Sequence, residues 1–225
     1  MGEADEILTI DVVSDVVCPW CYLGEKRLET ALVKAPQKVA LRWRPYQLDP
    51  TIPAGGYDRA EYMAKKFGAG GRLQAVHDNL VRLGAEVGLP FAFDKIKRAP
   101  NTLDAHRLIR WANSAGMQGK VVDRLFKAYF VEGRDIGDRG VLIDVAGKCG
   151  LDAKLVEELL AGDADVDLVR EEIAQAQLIG VSGVPFFIFG GRLGVPGAQD
   201  PSALLQAMAQ ARQAMREPAS EAPVA

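Results

Sequence analysis

Residues 7–21 read ILTIDVVSDVVCPWC, and the fold is decided there. The first eight, ILTIDVVS, are aliphatic and β-branched and close on a Ser14-Asp15 turn signal, which predicts a buried strand. Pro19 stands directly after Cys18. Proline suits a first helical turn, where its missing N–H has no partner to lose. Leu23, Leu28 and Leu32 then fit one amphipathic helix to about Lys34, and Pro36 ends the run. Residues 39–48, VALRWRPYQL, set Val39, Leu41 and Trp43 against Ala40, Arg42 and Arg44, a strand alternation, with Pro45 marking an edge or a bulge. Strand, helix and strand in succession form a βαβ unit.

The cysteines gain their force from that placement. A thiolate at a helix N-terminus sits among unpaired N–H groups and the positive end of the helix dipole. Cys18 is therefore expected to ionise more easily than a free thiol and to attack disulfides near neutral pH. Cys21 lies one turn along, close enough to close a disulfide and expel a bound partner. Cys18 is assigned as nucleophile and Cys21 as resolving thiol, an assignment that requires an accessible sulfur at 18. Two readings compete: a pair of buried apolar cysteines, or a zinc site. Structural zinc wants four ligands, commonly as two close pairs. Here Cys149, His77 and His106 are scattered, so no metal is expected. Cys149, in AGKCGL at the end of a helical segment, reads as a small buried hydrophobe.

From about residue 57 to 179 the period is helical, with five to seven helices expected and no convincing strand. Val121, Val122, Leu125, Phe126, Tyr129 and Phe130 make one broad helix face. Asn101 is expected to cap a helix carrying Leu103, Leu108, Ile109 and Ala112, with Asp104 three residues on, and Asp152 to cap one carrying Leu155, Val156, Leu159 and Leu160. Val166, Val169, Ile173 and Ala176 mark another, stopped by Gly180. Strand signals return at Val184–Phe189, turn at Gly190-Gly191 and continue over Arg192–Val195, a hairpin. Asp200-Pro201 opens a last helix with Leu204, Leu205, Met208 and Met215 on one side. The expected class is α/β. Residues 7–48 and 181–216 build one four-stranded sheet with two helices. Residues 49–180 form a helical insertion, and 217–225 (EPASEAPVA) a disordered tail.

Gly183-Val184-Pro185 admits two readings. Proline opens a strand without loss, since it cannot donate to a ladder. Alternatively, a cis Val184-Pro185 bond turns the Val184 backbone toward the cysteines, where its N–H and C=O could pair with an extended peptide.

Composition narrows the partners. Of 225 residues 48% are hydrophobic, enough for a core without disulfide staples and too many for a disordered chain. Lys plus Arg is 27 against 30 Asp plus Glu, a net charge of −3 that removes the electrostatic case for a nucleic acid or an anionic membrane. Three cysteines are too few for a disulfide-rich secreted scaffold. The start, MGEADEILTI, is acidic without a signal-like apolar stretch, and apolar runs such as VPFFIF fall far short of the ~20 residues of a membrane span. A cytoplasmic protein with reduced thiols is expected.

Three segments, SDVVCPWCYLG, APNTLDAHRL and GVSGVPFFIFGGRLGVPGAQ, resemble the DsbA-like thioredoxin family in its FrnE and 2-hydroxychromene-2-carboxylate isomerase branch. The resemblance runs from the first strand to Gln199 and the last helix. It implies a thioredoxin fold with a large helical insertion, a cis-Pro185 and thiol–disulfide exchange at Cys18. Pro19, Trp20, Val184 and Pro185 would meet the substrate. Asn101, Thr102 and His106 match the family's NTxxAHR stretch, whose Asn region lines the isomerases' substrate cleft. From the residues alone Asn101 is a helix cap and His106 a packed or surface histidine. The isomerases and the related kappa-class glutathione transferases carry Ser at the position of Cys18 and lack the second thiol. This chain departs from them at both places, which favours redox work. It also lacks the extra C-terminal cysteine pair of some FrnE-like proteins.

The leading expectation is a protein disulfide oxidoreductase acting on thiol or disulfide proteins, as a monomer or homodimer. No cofactor is bound, and glutathione serves as redox partner or co-substrate. The alternatives are a glutathione-dependent isomerase or transferase of aromatic or polyketide-like molecules, and a non-catalytic peptide-binding module. Two carboxylates stay open: Asp15 tunes the thiol or caps a turn, and Asp11 takes a proton from Cys21 or sits at an edge.

Overall fold

The computed structural model describes residues 7–68 and 71–216, so the tail expected over 217–225 lies outside the described residues. The chain opens with β1 (Leu8–Ser14), α1 (Pro19–Lys34) and β2 (Val39–Pro45). The two-residue strand β3 (Tyr57–Asp58), α2 (Arg59–Phe67), α3 (Arg72–Ala85) and a single 3-10 turn at Phe93–Lys95 follow. Then come β4 (Arg98–Ala99), α4 (Leu103–Ser114), α5 (Gln118–Phe130), α6 (Arg139–Cys149), α7 (Ala153–Ala161) and α8 (Val166–Leu178). The chain returns through β5 (Phe186–Phe189), β6 (Leu193–Pro196) and α9 (Pro201–Arg216).

The two ends of the chain share one sheet of order β2-β1-β5-β6. β1 is parallel to β2, with Val12 opposite Trp43, and antiparallel to β5, with Val12 opposite Phe187. Strand alternation then sorts the side chains. Leu8, Ile10, Val12, Phe187 and Phe189 point into the main core with α1 and α9. Val13, Phe186 and Ile188 point the other way, with Ala176 of α8 and Tyr46. β2 is an edge strand. Its exposed ladder is closed by Gln118, whose Oε1 accepts the Trp43 N–H at 2.9 Å while its Nε2 donates to the Trp43 carbonyl at 3.2 Å.

α5 locks the intervening helices to α1. Its face of Val121, Val122, Leu125, Phe126, Tyr129 and Phe130 is wholly buried, as the periodicity predicts. Tyr22 of α1 stacks on Phe126 at 5.0 Å and meets Phe91 edge-on at 5.8 Å. Arg107, 1% exposed, gives its guanidinium to the carbonyls of Leu159, Gly162 and Ala164 and to Asp104, so one buried side chain holds the α7–α8 connection.

Some boundaries differ from the expectation for physical reasons. Among the described residues, seven helices stand between β2 and β5, the top of the expected range. The same segment also carries the β3–β4 ladder, Tyr57 with Ala99 and Asp58 with Arg98. Two residues are too short to show a period, so the sequence gives no strand signal there. The cap of α4 is Thr102, not Asn101. Asn101 stands one residue outside, where its Oδ1 still accepts the Leu103 N–H at 2.9 Å. Asp152 caps α7 as expected.

Candidate active site

β1 stops at Ser14, and Asp15–Val17 turn the chain into α1. The Cys18 N–H donates to the Asp15 carbonyl at 2.9 Å. Cys18 is the residue capping α1, with extended backbone at φ −90° and ψ 112°, and Pro19 follows in the first turn. The Cys21 N–H donates back to the Cys18 carbonyl at 3.0 Å. The two sulfurs thus face each other across one turn. Both thiols are free, and they lie within hydrogen-bonding reach of one another.

Cys21 is 1% exposed. Burial pushes its thiol well above the ordinary range, and the hydrogen bond and charge of Cys18 push the same way; the Ser14 hydroxyl and the Asp15 N–H oppose them.

The Val184–Pro185 peptide is cis. The Cys18 thiol donates weakly to the Val184 carbonyl at 3.6 Å. Two devices seat this segment against α1. Gly24 leaves room, because a Cβ there would lie 3.0 Å from Pro185 Cγ and 3.3 Å from Phe187 Cζ. On the far side, the Pro185 carbonyl accepts the Gly197 N–H at 2.8 Å, and Arg27 of α1 donates to the Ala198 carbonyl at 2.7 Å. The Gly197-Ala198-Gln199 turn is thereby a brace between α1 and the strand behind Val184. Ser182 and Gly183 are exposed, and among the described residues the Val184 N–H has no backbone acceptor.

Cys18 itself is 4% exposed, so the open sulfur that the sequence reading requires is not at the surface. It opens instead into a chamber of about 390 Å³. Pro19, Trp20 and Val184 line the chamber beside it. The opposite wall is the α2–α3 pair with Phe93 and Phe130, through side chains such as Met63, Phe67 and Val76. The sequence reading missed that wall. The half-buried Met63, Phe67, Leu73 and Val76, apolar on helices with few buried residues, were its only signal.

Of the remaining candidates, Pro185, Asn101 and His106 do not line the chamber. Pro185 is buried behind Val184. Asn101 donates to the Ile52 carbonyl at 2.6 Å and accepts from Gln47 at 3.1 Å, bracing the chain before α4; its neighbour Thr102 reaches the chamber wall. His106, 3% exposed, gives its Nε2 proton to the Tyr46 carbonyl at 2.9 Å, and the same nitrogen lies 3.5 Å from Asp15 Oδ1. It borders a separate polar cavity of about 290 Å³ with Arg44, Arg110 and Asp165. Asp15 is buried directly after β1. It accepts the Leu48 N–H at 2.8 Å, fixing the chain after β2, and it lies at the chamber wall beside Cys18. Asp11 sits on the inner strand β1, not at an edge, and pairs with Arg44 of the edge strand β2 at 2.8 Å.

Comparison with known proteins agrees with this geometry. A family profile described as "DSBA-like thioredoxin domain" matches residues 9–209. The crystal structure of the probable DsbA oxidoreductase SCO1869 from Streptomyces coelicolor is 32% identical, with a TM-score of 0.86, over 96% of this chain and 94% of that one. A 2-hydroxychromene-2-carboxylate isomerase structure shares the fold at 20% identity and a TM-score of 0.69, over 92% of this chain and 98% of that one. "Uncharacterized protein YwbO" of Bacillus subtilis (strain 168) is 28% identical over 190 residues, 84% of this chain and 90% of that protein. With a four-stranded sheet built from both chain ends, helices inserted between them, and a match over most of its length, the chain belongs to the DSBA-like thioredoxin domain family.

Proposed function

We propose that the chain is a thiol–disulfide oxidoreductase in which Cys18 attacks and Cys21 resolves. The Cys18 thiolate attacks one sulfur of a substrate disulfide, and the other leaves as a thiolate. The Cys21 thiolate then attacks Cys18, closes the Cys18–Cys21 bond and releases the second substrate thiolate. The substrate gains two electrons and the enzyme dithiol loses them. Two molecules of a thiol such as glutathione can return them, leaving as their disulfide, and the same steps in reverse oxidise a substrate dithiol. The supporting observation is the pair of free thiols at the head of α1, with Cys18 facing both a chamber and the Val184 carbonyl. Trp20 supplies an apolar wall, and the unpaired Val184 N–H offers a backbone partner.

The enclosed apolar chamber also supports a second reading, a glutathione-dependent isomerase of small molecules. The two part at Cys21. In exchange chemistry, Cys21→Ala traps mixed disulfides on Cys18, visible as mass adducts that dithiothreitol removes. In isomerisation, Cys21→Ala turns over as the native protein does. Full activity of Cys21→Ala without adducts overturns the oxidoreductase reading.

A further inference from the structure

The exchanging sulfur opens into a chamber whose wall carries three cations, Arg59, Lys66 and Arg72, none of them in an ion pair among the described residues. About 390 Å³ is the size of a small-molecule site, and side chains of α2 and α3 supply much of its wall. Between the sulfur and those helices the wall is apolar, with Trp20, Leu48, Met63 and Phe130. Arg59, at the start of α2, projects from it. Its Nη2 lies 3.4 Å from His77 Nε2, it donates to the Tyr129 hydroxyl, and its guanidinium carbon sits 6.0 Å above the Phe93 ring. The Nε is buried with no acceptor, and among the described residues no carboxylate lies within ion-pair distance. Of the two chamber carboxylates, Asp49 is engaged by Thr51 and Tyr62, and Asp15 accepts the Leu48 N–H through Oδ2 while its buried Oδ1, 3.5 Å from His106 Nε2, has no hydrogen-bond partner. The neighbour His77 does not compete for an anion, since burial and the charge of Arg59 hold it below the ordinary imidazole range. Arg59, His77 and Phe93 also line a shallower outer cavity, so the guanidinium forms the partition between chamber and outside.

We propose that Arg59 binds a carboxylate and that the disulfides exchanged at Cys18 are small molecules with an apolar body and an anionic end. The inference rests on the reading of Cys18 as the exchanging thiol. A five-donor guanidinium with an orphaned N–H needs an anionic acceptor, and the apolar span between it and the sulfur fits an aryl or alkyl body. The chain's net charge of −3 would repel such an anion, so attraction must come from the chamber's own cations, of which only Arg59 has a buried N–H without an acceptor.

The test uses two near-isosteric probes, 4,4′-dithiobis(benzoate) and 4,4′-dithiobis(benzamide). Each reacts with the reduced enzyme to give two arylthiols and the Cys18–Cys21 disulfide, and each rate is divided by the probe's own rate with dithiothreitol. The native protein is expected to prefer the carboxylate by about tenfold or more, a preference that falls with salt. Arg59→Gln should bring the ratio toward one, and Arg59→Lys should keep part of it. Equal normalised rates on the native protein, a ratio that survives Arg59→Gln, or faster reduction of insulin than of the carboxylate probe overturns the inference while leaving exchange at Cys18 intact. If both probes react no faster than with Cys18→Ser, the oxidoreductase reading falls and the inference with it.

Discussion

Cys18 and Cys149 are both sealed from solvent, at 4% and 1% exposure, yet they stand in opposite settings. Cys18 heads α1, among N–H groups without helical partners. Cys149 ends α6, among carbonyls, and its thiol donates to the Lys120 carbonyl at 3.5 Å while Lys120 Nζ returns a bond to the Cys149 carbonyl at 3.1 Å. Burial raises the Cys149 thiol, and no described cavity adjoins it. Cys18 has the chamber on one side and Cys21 on the other. A low exposure therefore says little about a thiol's chemistry. Helix polarity and adjacent empty space separate a reactive sulfur from packing material.

The largest expected effect is on exchange. Cys18→Ser should lower the rate with any disulfide by at least about a thousandfold, as removal of a covalent nucleophile does, while Cys149→Ala stays within about twofold. Reduction of the aryl probes reads this, and a Cys149→Ala loss comparable to that of Cys18→Ser would erase the contrast. Next comes labelling. In the native protein iodoacetamide should reach Cys18 through the chamber about a hundredfold faster than Cys149, whose labelling waits on unfolding. Peptide mapping measures both sites at once, and equal rates would mean the chamber gives no access.

A third test concerns pH. In the proposed exchange the Cys21 thiolate releases the mixed disulfide, and burial raises the Cys21 thiol well above the ordinary range. At neutral pH only a minor fraction is ionised, so release of the mixed disulfide should quicken about tenfold per pH unit as pH rises. The adduct formed with the native protein decays accordingly in stopped-flow. A flat profile from pH 6 to 9 would show that another step limits or that Cys21 is already ionised. The smallest effect is on stability. Cys149→Ala should cost about 1 kcal/mol, because it opens a void in tight packing, whereas Cys18→Ala borders space already empty and should change little. Urea midpoints compare the two directly.

Local features were legible because their cause is local. α1 was bounded by Pro19 and Pro36, the cysteine pair was placed by a strand and a proline, and the face of α5 showed in six residues. What the sequence could not show is which surface covers which. The α2–α3 wall comes from side chains with no pattern pointing to residue 18, and the Asp15–His106 approach joins positions from a turn and a distant helix. Glu25 makes the same point. On a helical wheel it is an ordinary charged residue, yet it is 4% exposed with one oxygen unpartnered, and desolvation raises its carboxyl well above the usual range. Periodicity reports that a face is apolar; it does not report what lies opposite.

The sheet order carries a consequence for synthesis. β5 lies beside β1, and the carbonyl that faces Cys18 belongs to a residue 166 positions further along the chain. A ribosome therefore produces both sulfurs well before it produces the strand that shelters them. During that interval the thiol pair has neither the Val184 carbonyl nor the Pro185 contact, and it is open to whatever oxidant the nascent polypeptide meets.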